Sequence, residues 1–201
     1  PPANDNCAGA VSLTVNADIN CGVTTNGTTE SASASVETAP SCSATGVNDD
    51  VWYSFTATGT AHQVRISGAT NTTAIAVYTG SCGALTQISG ACASTTSGTA
   101  TLNLTGLTAA TTYRVRVYTT SSTAGVFSTF TMCVGTPPPP PANDNCAGAT
   151  SLTVNADYNC GITTNGSTLS ATQSTETAPS CSATGVNDDV WYTFVATNTQ
   201  H

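Results

Sequence analysis

The sequence predicts an all-β protein, built as a two-sheet β-sandwich in tandem repeat. Three observations predict it. Short segments of alternating apolar residues are separated by turn residues, no segment has helical periodicity, and the opening of the chain returns 139 residues later. Ala3-Asn-Asp-Asn-Cys-Ala-Gly-Ala10 recurs as Ala142-Asn-Asp-Asn-Cys-Ala-Gly-Ala149, and the alignment runs without a gap to His62 and His201, with 48 of 60 positions identical. A period this long describes whole domains on a string rather than a solenoid. The expected organisation is a complete repeat at 1–135, a linker at 136–141 and the N-terminal part of a second repeat at 142–201. Thr136 followed by Pro137 to Pro141 reads as stiff polyproline II, a semi-rigid spacer.

Within one repeat the strand signals follow in order. Ser12–Val15 alternates weakly. Asp50–Ala57 alternates strongly, with Val51, Tyr53 and Phe55 on one face. His62–Ser67 places Val64 and Ile66 together, and Ala74–Tyr78 is a short apolar run. Thr101–Leu104 pairs Leu102 with Leu104. Thr112–Tyr118 sets Tyr113, Val115 and Val117 inward, with Arg114 and Arg116 outward on a solvated face. Phe127–Val134 closes the domain through Phe130, Met132 and Val134. About eight strands in a repeat of this length, with turns between, make a sandwich. Gly106–Val117 resembles the tyrosine-corner strand of fibronectin type III domains, so an immunoglobulin-like or fibronectin III-like sandwich is the alternative topology.

Composition narrows the function. Charged residues are only 7% of the chain, net charge is −8, and Lys is absent. The three basic residues are Arg65, Arg114 and Arg116. Nucleic acid and anionic membrane are therefore excluded as partners, because both need clustered cations. Disorder is excluded too, since the chain is 39% hydrophobic with clear alternation and takes its polarity from Thr, Ser and Asn. No run of 18 apolar residues occurs, so no membrane-inserting helix is expected.

Nine cysteines place the chain in an oxidising, extracellular compartment, secreted or attached to a cell surface. No C-x-x-C pair speaks for zinc. Six cysteines in the full repeat allow 15 pairings. Cys82 and Cys92 bracket an apparent hairpin and are expected to pair. Cys7–Cys133 with Cys21–Cys42 is the expected remainder, and Cys7–Cys21 with Cys42–Cys133 the rival. Cys146, Cys160 and Cys181 are an odd set in less than half a domain, which leads to the expectation that a neighbouring subunit or further chain completes it.

Scarce carboxylates are informative where they cluster. Asn4, Asp5, Asn48, Asp49 and Asp50, with their counterparts Asn143, Asp144, Asn187, Asp188 and Asp189, form a hard-oxygen set suited to calcium. The plainer reading is that Asn and Asp side chains cap turns. Trp52, Tyr53 and Tyr78 are a candidate sugar-stacking platform, against the commoner fate of aromatics in a sandwich core. His62 and His201 stand isolated, and no Ser-His-Asp or general-base arrangement is recognisable, so the chain is expected not to be an enzyme. Asn26, Asn71, Asn103 and Asn165 head glycosylation sequons.

Three elements taken together carry a resemblance: Asn4-Asp-Asn-Cys7, Asp49-Asp-Val-Trp-Tyr-Ser-Phe55 and Thr111-Thr-Tyr-Arg-Val-Arg-Val117. The set is similar to the bacterial pre-peptidase C-terminal domain, and closer still to the PPANDxC repeats of large secreted and surface proteins of Bacteroidota. The resemblance implies a jelly-roll-like sandwich serving as a non-catalytic spacer or accessory module. The chain also resembles the collagen-binding modules of bacterial collagenases, which implies acidic residues for calcium, although the extra acids those modules carry near the domain start are absent here. The expected function is a disulfide-stabilised repeat unit of an extracellular filament or long surface adhesin, associating with copies of itself. The alternative is an accessory module that binds a polysaccharide or surface protein, with or without calcium.

Overall fold

A computed structural model of the chain describes residues 1–42, 49–177, 180–181 and 188–200. The chain divides into two compact units, Pro1–Pro137 and Pro138–His201.

Among the described residues of the first unit a 3-10 turn, Cys7–Gly9, precedes ten strands: β1 (Val11–Ser12), β2 (Val15–Asn16), β3 (Thr25–Thr28), β4 (Asp50–Thr56), β5 (His62–Ala69), β6 (Thr73–Thr79), β7 (Thr86–Thr95), β8 (Gly98–Leu104), β9 (Thr112–Thr119) and β10 (Thr129–Gly135). A front sheet runs β1-β4-β9-β6-β7, and a back sheet runs β2-β10-β5-β8 with β3 also on β10. From β3 onward the chain changes sheet after every strand except at the β6–β7 hairpin. The order 3-10-5-8 facing 4-9-6-7 is that of a jelly roll. The immunoglobulin order pairs its first two strands within one sheet and does not describe this unit. The tyrosine corner is nonetheless present: the Thr108 amide donates to the Tyr113 hydroxyl at 2.9 Å.

Period-two alternation builds the core. Val51, Tyr53 and Phe55 of β4 meet Val115 and Tyr113 of β9, and across the sandwich Val64, Ile66, Leu102, Phe130, Met132 and Val134. Each fully buried side chain of this size contributes roughly 1.5–3 kcal/mol. The expected strand at Ser12–Val15 is two strands. The chain leaves β1 on the front sheet, sinks Leu13 into the core, and joins the back sheet as β2. Strands β3 and β7 were not expected from alternation.

A second apolar cluster lies on the outer face of the front sheet, where Trp52, Ala74, Ala76, Tyr78 and Tyr118 pack with Cys7. The segment from Thr29 to Cys42 covers this face. Its hold includes Ser41, whose amide donates to the Gln87 side chain at 2.9 Å, and the Cys42–Cys92 bridge. Arg116 is therefore buried rather than solvated, which corrects the outward placement expected of it, and Arg114 is half-buried.

The disulfides are Cys7–Cys82, Cys21–Cys133 and Cys42–Cys92, with Cα separations of 5.7, 5.9 and 5.8 Å. Every pairing expected from the sequence is corrected. Cys82 sits in the β6–β7 turn, but a bulge between Ala76 and Tyr78 sets Cys92 opposite Ala76, well down the hairpin. Cys7 and Cys42 lie on the outside of the front sheet. Cys133, between the inward Met132 and Val134, lies with Cys21 on the outside of the back sheet. Cys7–Cys133, Cys21–Cys42, Cys7–Cys21 and Cys42–Cys133 would each span both layers, which stand about 10 Å apart face to face, beyond a disulfide's reach.

His62 closes one end of the core, 1% exposed, with its ring edge-on to Phe55 and its Nε2 accepting the Thr58 amide at 3.0 Å. Burial holds this imidazole below its ordinary 6.5, against a hydrogen bond to the Gly135 backbone that raises it. The unfolded chain then takes up a proton that the folded chain resists, so the stability due to neutral His62 is present above pH 6.5 and is lost as pH falls toward the folded value. Melting temperature is expected to fall as pH drops below 6.5, and His62→Gln to flatten that decline. Equal slopes in the two proteins would refute the assignment.

In the second unit a 3-10 turn at Cys146–Gly148 precedes β11 (Thr150–Ser151), which pairs in parallel with β12 (Tyr192–Thr193). Cys146, Cys160 and Cys181 are free and exposed.

Candidate functional site

Asn4, Asp5 and Asp50 lie beneath the covering segment of the front sheet, with Asp49 next to them in the chain, each with a separate mechanical task. Asn4 fastens the N-terminal arm to β4. Its side-chain amide donates to the Trp52 carbonyl at 2.9 Å, and its own carbonyl accepts the Trp52 amide at 2.8 Å. Asp5 grips the covering segment, accepting the Ser33 amide at 2.6 Å and the Ser33 hydroxyl at 2.7 Å.

Asp50 is the hub. It accepts the Ser35 amide at 2.7 Å, the Ser35 hydroxyl, and Arg116 Nε at 3.0 Å. Ser35 in turn accepts the Trp52 indole N–H at 2.8 Å. Arg116 lies over the Trp52 ring, 5.3 Å from its centroid, and donates to the Thr38 carbonyl at 3.1 Å. Both members of the ion pair are buried. A charge pair out of water needs its remaining hydrogen-bond capacity filled, and here the covering segment fills it.

Asp49 turns toward the sandwich edge, where it accepts the Thr29 hydroxyl at 2.8 Å and the Thr119 hydroxyl at 2.7 Å. Burial pushes its carboxyl above the ordinary 3.8. The Thr119 and Thr29 hydrogen bonds oppose the rise, and the neighbouring Asp50 charge adds to it. A raised folded value means that this group's contribution is fully present below pH 3.8 and is lost as pH rises through the folded value. The melting temperature of the wild-type chain, relative to Asp49→Asn, is expected to fall as pH rises from below 3.8 to neutral. A difference independent of pH would refute this.

The second unit repeats the brace. Asn143 donates to the Trp191 carbonyl at 3.0 Å, and Asp144 accepts the Thr172 amide at 2.6 Å. Asp189 accepts the Ser174 amide at 2.9 Å, and the Trp191 indole donates to Ser174 at 2.7 Å. The Ser174 hydrogen bonds hold the Asp189 carboxyl below the usual carboxylate range. Asp188 is exposed.

The described acids of this set do not fit a calcium ion. Calcium needs six to eight convergent oxygens, whereas the oxygens of Asp5, Asp49 and Asp50 are turned to different protein donors. Among the described residues no three acids, cysteines or histidines gather as a metal site. Asn48 and Asn187 lie outside the described residues, as does His201. Trp52, Tyr53 and Tyr78 are all buried, which corrects the sugar-platform reading: Tyr53 faces the core, while Trp52 and Tyr78 pack against each other under the covering segment.

An open concavity lies beside Asp49. A cavity of about 550 Å³ is lined by Thr29, Glu30, Ser31, Asp49, Gly125 and the exposed Phe127. The sequence carried no signal for it, because Glu30 and Phe127 are far apart in the chain and neither lies in a motif. Nor did it signal Ser33, Ser35 and Thr119, which are lost among many similar residues.

A disulfide-braced jelly roll whose polar side chains are turned inward to hold its own loops is an extracellular or secreted module. The chain belongs to the galactose binding domain-like family associated with the type IX secretion system, matching it over residues 3–132 and again over 142–200. No curated protein matches the sequence.

Proposed function

We propose that the chain is a structural, non-catalytic repeat unit of an extracellular filament or long surface adhesin, of the PPANDxC kind, that associates with copies of itself. The observation that carries this is the recurrence of the brace. Asn4, Asp5, Asp50 and Trp52 return as Asn143, Asp144, Asp189 and Trp191, with corresponding hydrogen bonds to Ser33 and Ser35 in the first unit and to Thr172 and Ser174 in the second. What the duplication repeats is a scaffold. The five prolines Pro137–Pro141 between the two repeats read as a stiff spacer. Electron microscopy of unreduced material is expected to show fibres, or rods of regularly spaced domains. Single compact particles at every concentration would overturn the proposal.

One observation favours a second reading, a carbohydrate-binding accessory module. The cavity beside Asp49 is lined by both an exposed aromatic ring, Phe127, and a carboxylate residue, Glu30, the two groups that can stack a sugar face and accept its hydroxyls. Titration calorimetry with galactosides and other monosaccharides tests it. Binding abolished by Phe127→Ala supports it, and no heat with any sugar removes it.

A further inference from the structure

Glu30 carries an exposed carboxylate that the turn around it does not need. Glu30 and Ser31 form the tip of a turn that closes where the Ala32 amide donates to the Thr29 carbonyl at 3.0 Å, with Ser31 at a positive φ of 59°. The second repeat builds the same turn without the acid. There the Ala171 amide donates to the Thr168 carbonyl at 2.9 Å, Ser170 holds a φ of 62°, and Leu169 stands in the place of Glu30. Both tips are held by the backbone: the Glu30 amide donates to Thr28 Oγ1 at 3.0 Å, and the Leu169 amide to Ser167 Oγ at 3.1 Å. The fold therefore explains the turn and leaves the Glu30 charge unexplained.

That charge sits in an anionic cavity. Glu30 and Asp49 both line the space of about 550 Å³ in the first unit, and Arg65, Arg114 and Arg116 are not among its lining residues. Asp49 is 6% exposed. Its carboxylate accepts the Thr29 hydroxyl at 2.8 Å, the Thr119 hydroxyl at 2.7 Å and the Thr119 amide at 3.3 Å, all uncharged donors. Among the described residues the buried cation, Arg116, is paired with Asp50 instead. A carboxylate satisfied by neutral dipoles keeps its net charge, and low-dielectric walls screen that charge weakly. The cavity therefore attracts a cation. A bare calcium ion is a poor occupant, since the Asp49 oxygens are already turned to protein donors and Glu30 alone cannot supply six ligands. Phe127, 37% exposed, adds an apolar ring to the same lining, which the face of a sugar ring can cover and a metal ion cannot. The volume falls within the roughly 300–1,000 Å³ of small-molecule sites.

We propose that this cavity binds an amino sugar with a free ammonium group. The Glu30 carboxylate is the counter-ion of the ammonium, the buried Asp49 charge adds to the attraction, and Phe127 takes the apolar face of the sugar. The inference rests on the carbohydrate-binding reading above and names its sugar class.

The test is titration calorimetry of the full chain with glucosamine and galactosamine, with their N-acetyl forms, and with glucose and galactose. The free amino sugars are expected to bind about ten-fold more tightly than the acetylated and neutral sugars, since a hydrogen bond between charged groups outweighs a neutral one. Equal affinity for all of them would overturn the ammonium assignment and leave the carbohydrate reading standing. No heat with any sugar would remove both. Lysine methyl ester is expected to bind more weakly than the amino sugars, and binding as tight would overturn the sugar assignment. Glu30→Gln is expected to bring the amino sugars down to the affinity of the neutral ones. Glu30→Leu, which places at the tip the residue that the second repeat carries there, is expected to lose the amino sugars with a melting temperature unchanged. Amino sugars bound by either variant as tightly as by wild type would overturn the site.

Discussion

Replacing Arg116 with Met is expected to destabilise the first unit by about 3–5 kcal/mol, a drop in melting temperature on the order of 10–15 °C for a domain of this size. The change leaves Asp50 fully buried with its charge uncompensated, and it removes the donor that holds the Thr38 carbonyl of the covering segment. The cation over Trp52 goes as well, so indole fluorescence should report the same event. Adding Asp50→Asn to Arg116→Met is expected to recover most of the loss. The neutral amide oxygen still accepts from Ser35, and no buried charge remains. Thermal melts of the two variants in unreduced buffer check both statements. A melting point within about 2 °C of wild type for Arg116→Met would show that the pair contributes little beyond its own desolvation cost.

Replacing Cys21 and Cys133 together with Ala is expected to cost about 4 kcal/mol. The bridge spans 112 residues of sequence, but in the unfolded chain Cys42–Cys92 already shortens the circuit. The remaining path, from 21 to 42 and from 92 to 133, is about 60 residues, and closing a loop of that size accounts for the figure in the chain-entropy account. Local packing matters less, since Cys133 faces away from the core. Urea unfolding of the double variant measures the cost. A midpoint unchanged from wild type would mean that the bridge does nothing to limit the unfolded chain.

Both predictions concern features that the sequence hid, and the reason is physical. Alternation reports which side chains face a core, so Val51, Tyr53, Phe55, Tyr113, Val115 and Val117 were legible. It cannot report that the other face of the same sheet is also covered. Arg116 therefore read as solvated, and Trp52 and Tyr78 stayed open between a sugar platform and the commoner place in a core. Strand β7 escaped because its bulge and Gly90, at a positive φ of 71°, break the period of two. Strand β3 escaped because Asn26-Gly27 reads as a turn. Gly27 is there for another reason: a Cβ would collide with the Tyr53 hydroxyl and the Phe130 ring as β3 lies along β10. Disulfide partners depend on which side of which sheet a cysteine occupies, and that depends on topology rather than spacing. The acids were legible as a cluster, but their partners, Ser33, Ser35, Thr29 and Thr119, were not, because hydroxyls are everywhere in this chain.

The Cys21–Cys133 bridge has a bearing on tension. A pull applied at Pro1 and Pro137 travels through residues 1–21, crosses the sulfur bond, and leaves through residues 133–137. Residues 22–132 lie off that line and carry no load while the bridge holds. The fully stretched length between the two points is therefore about 90 Å, where an unbridged chain would pay out roughly 470 Å. The sandwich is wired as a pendant beside a short tether, so residues 22–132 can loosen without lengthening the path between Pro1 and Pro137.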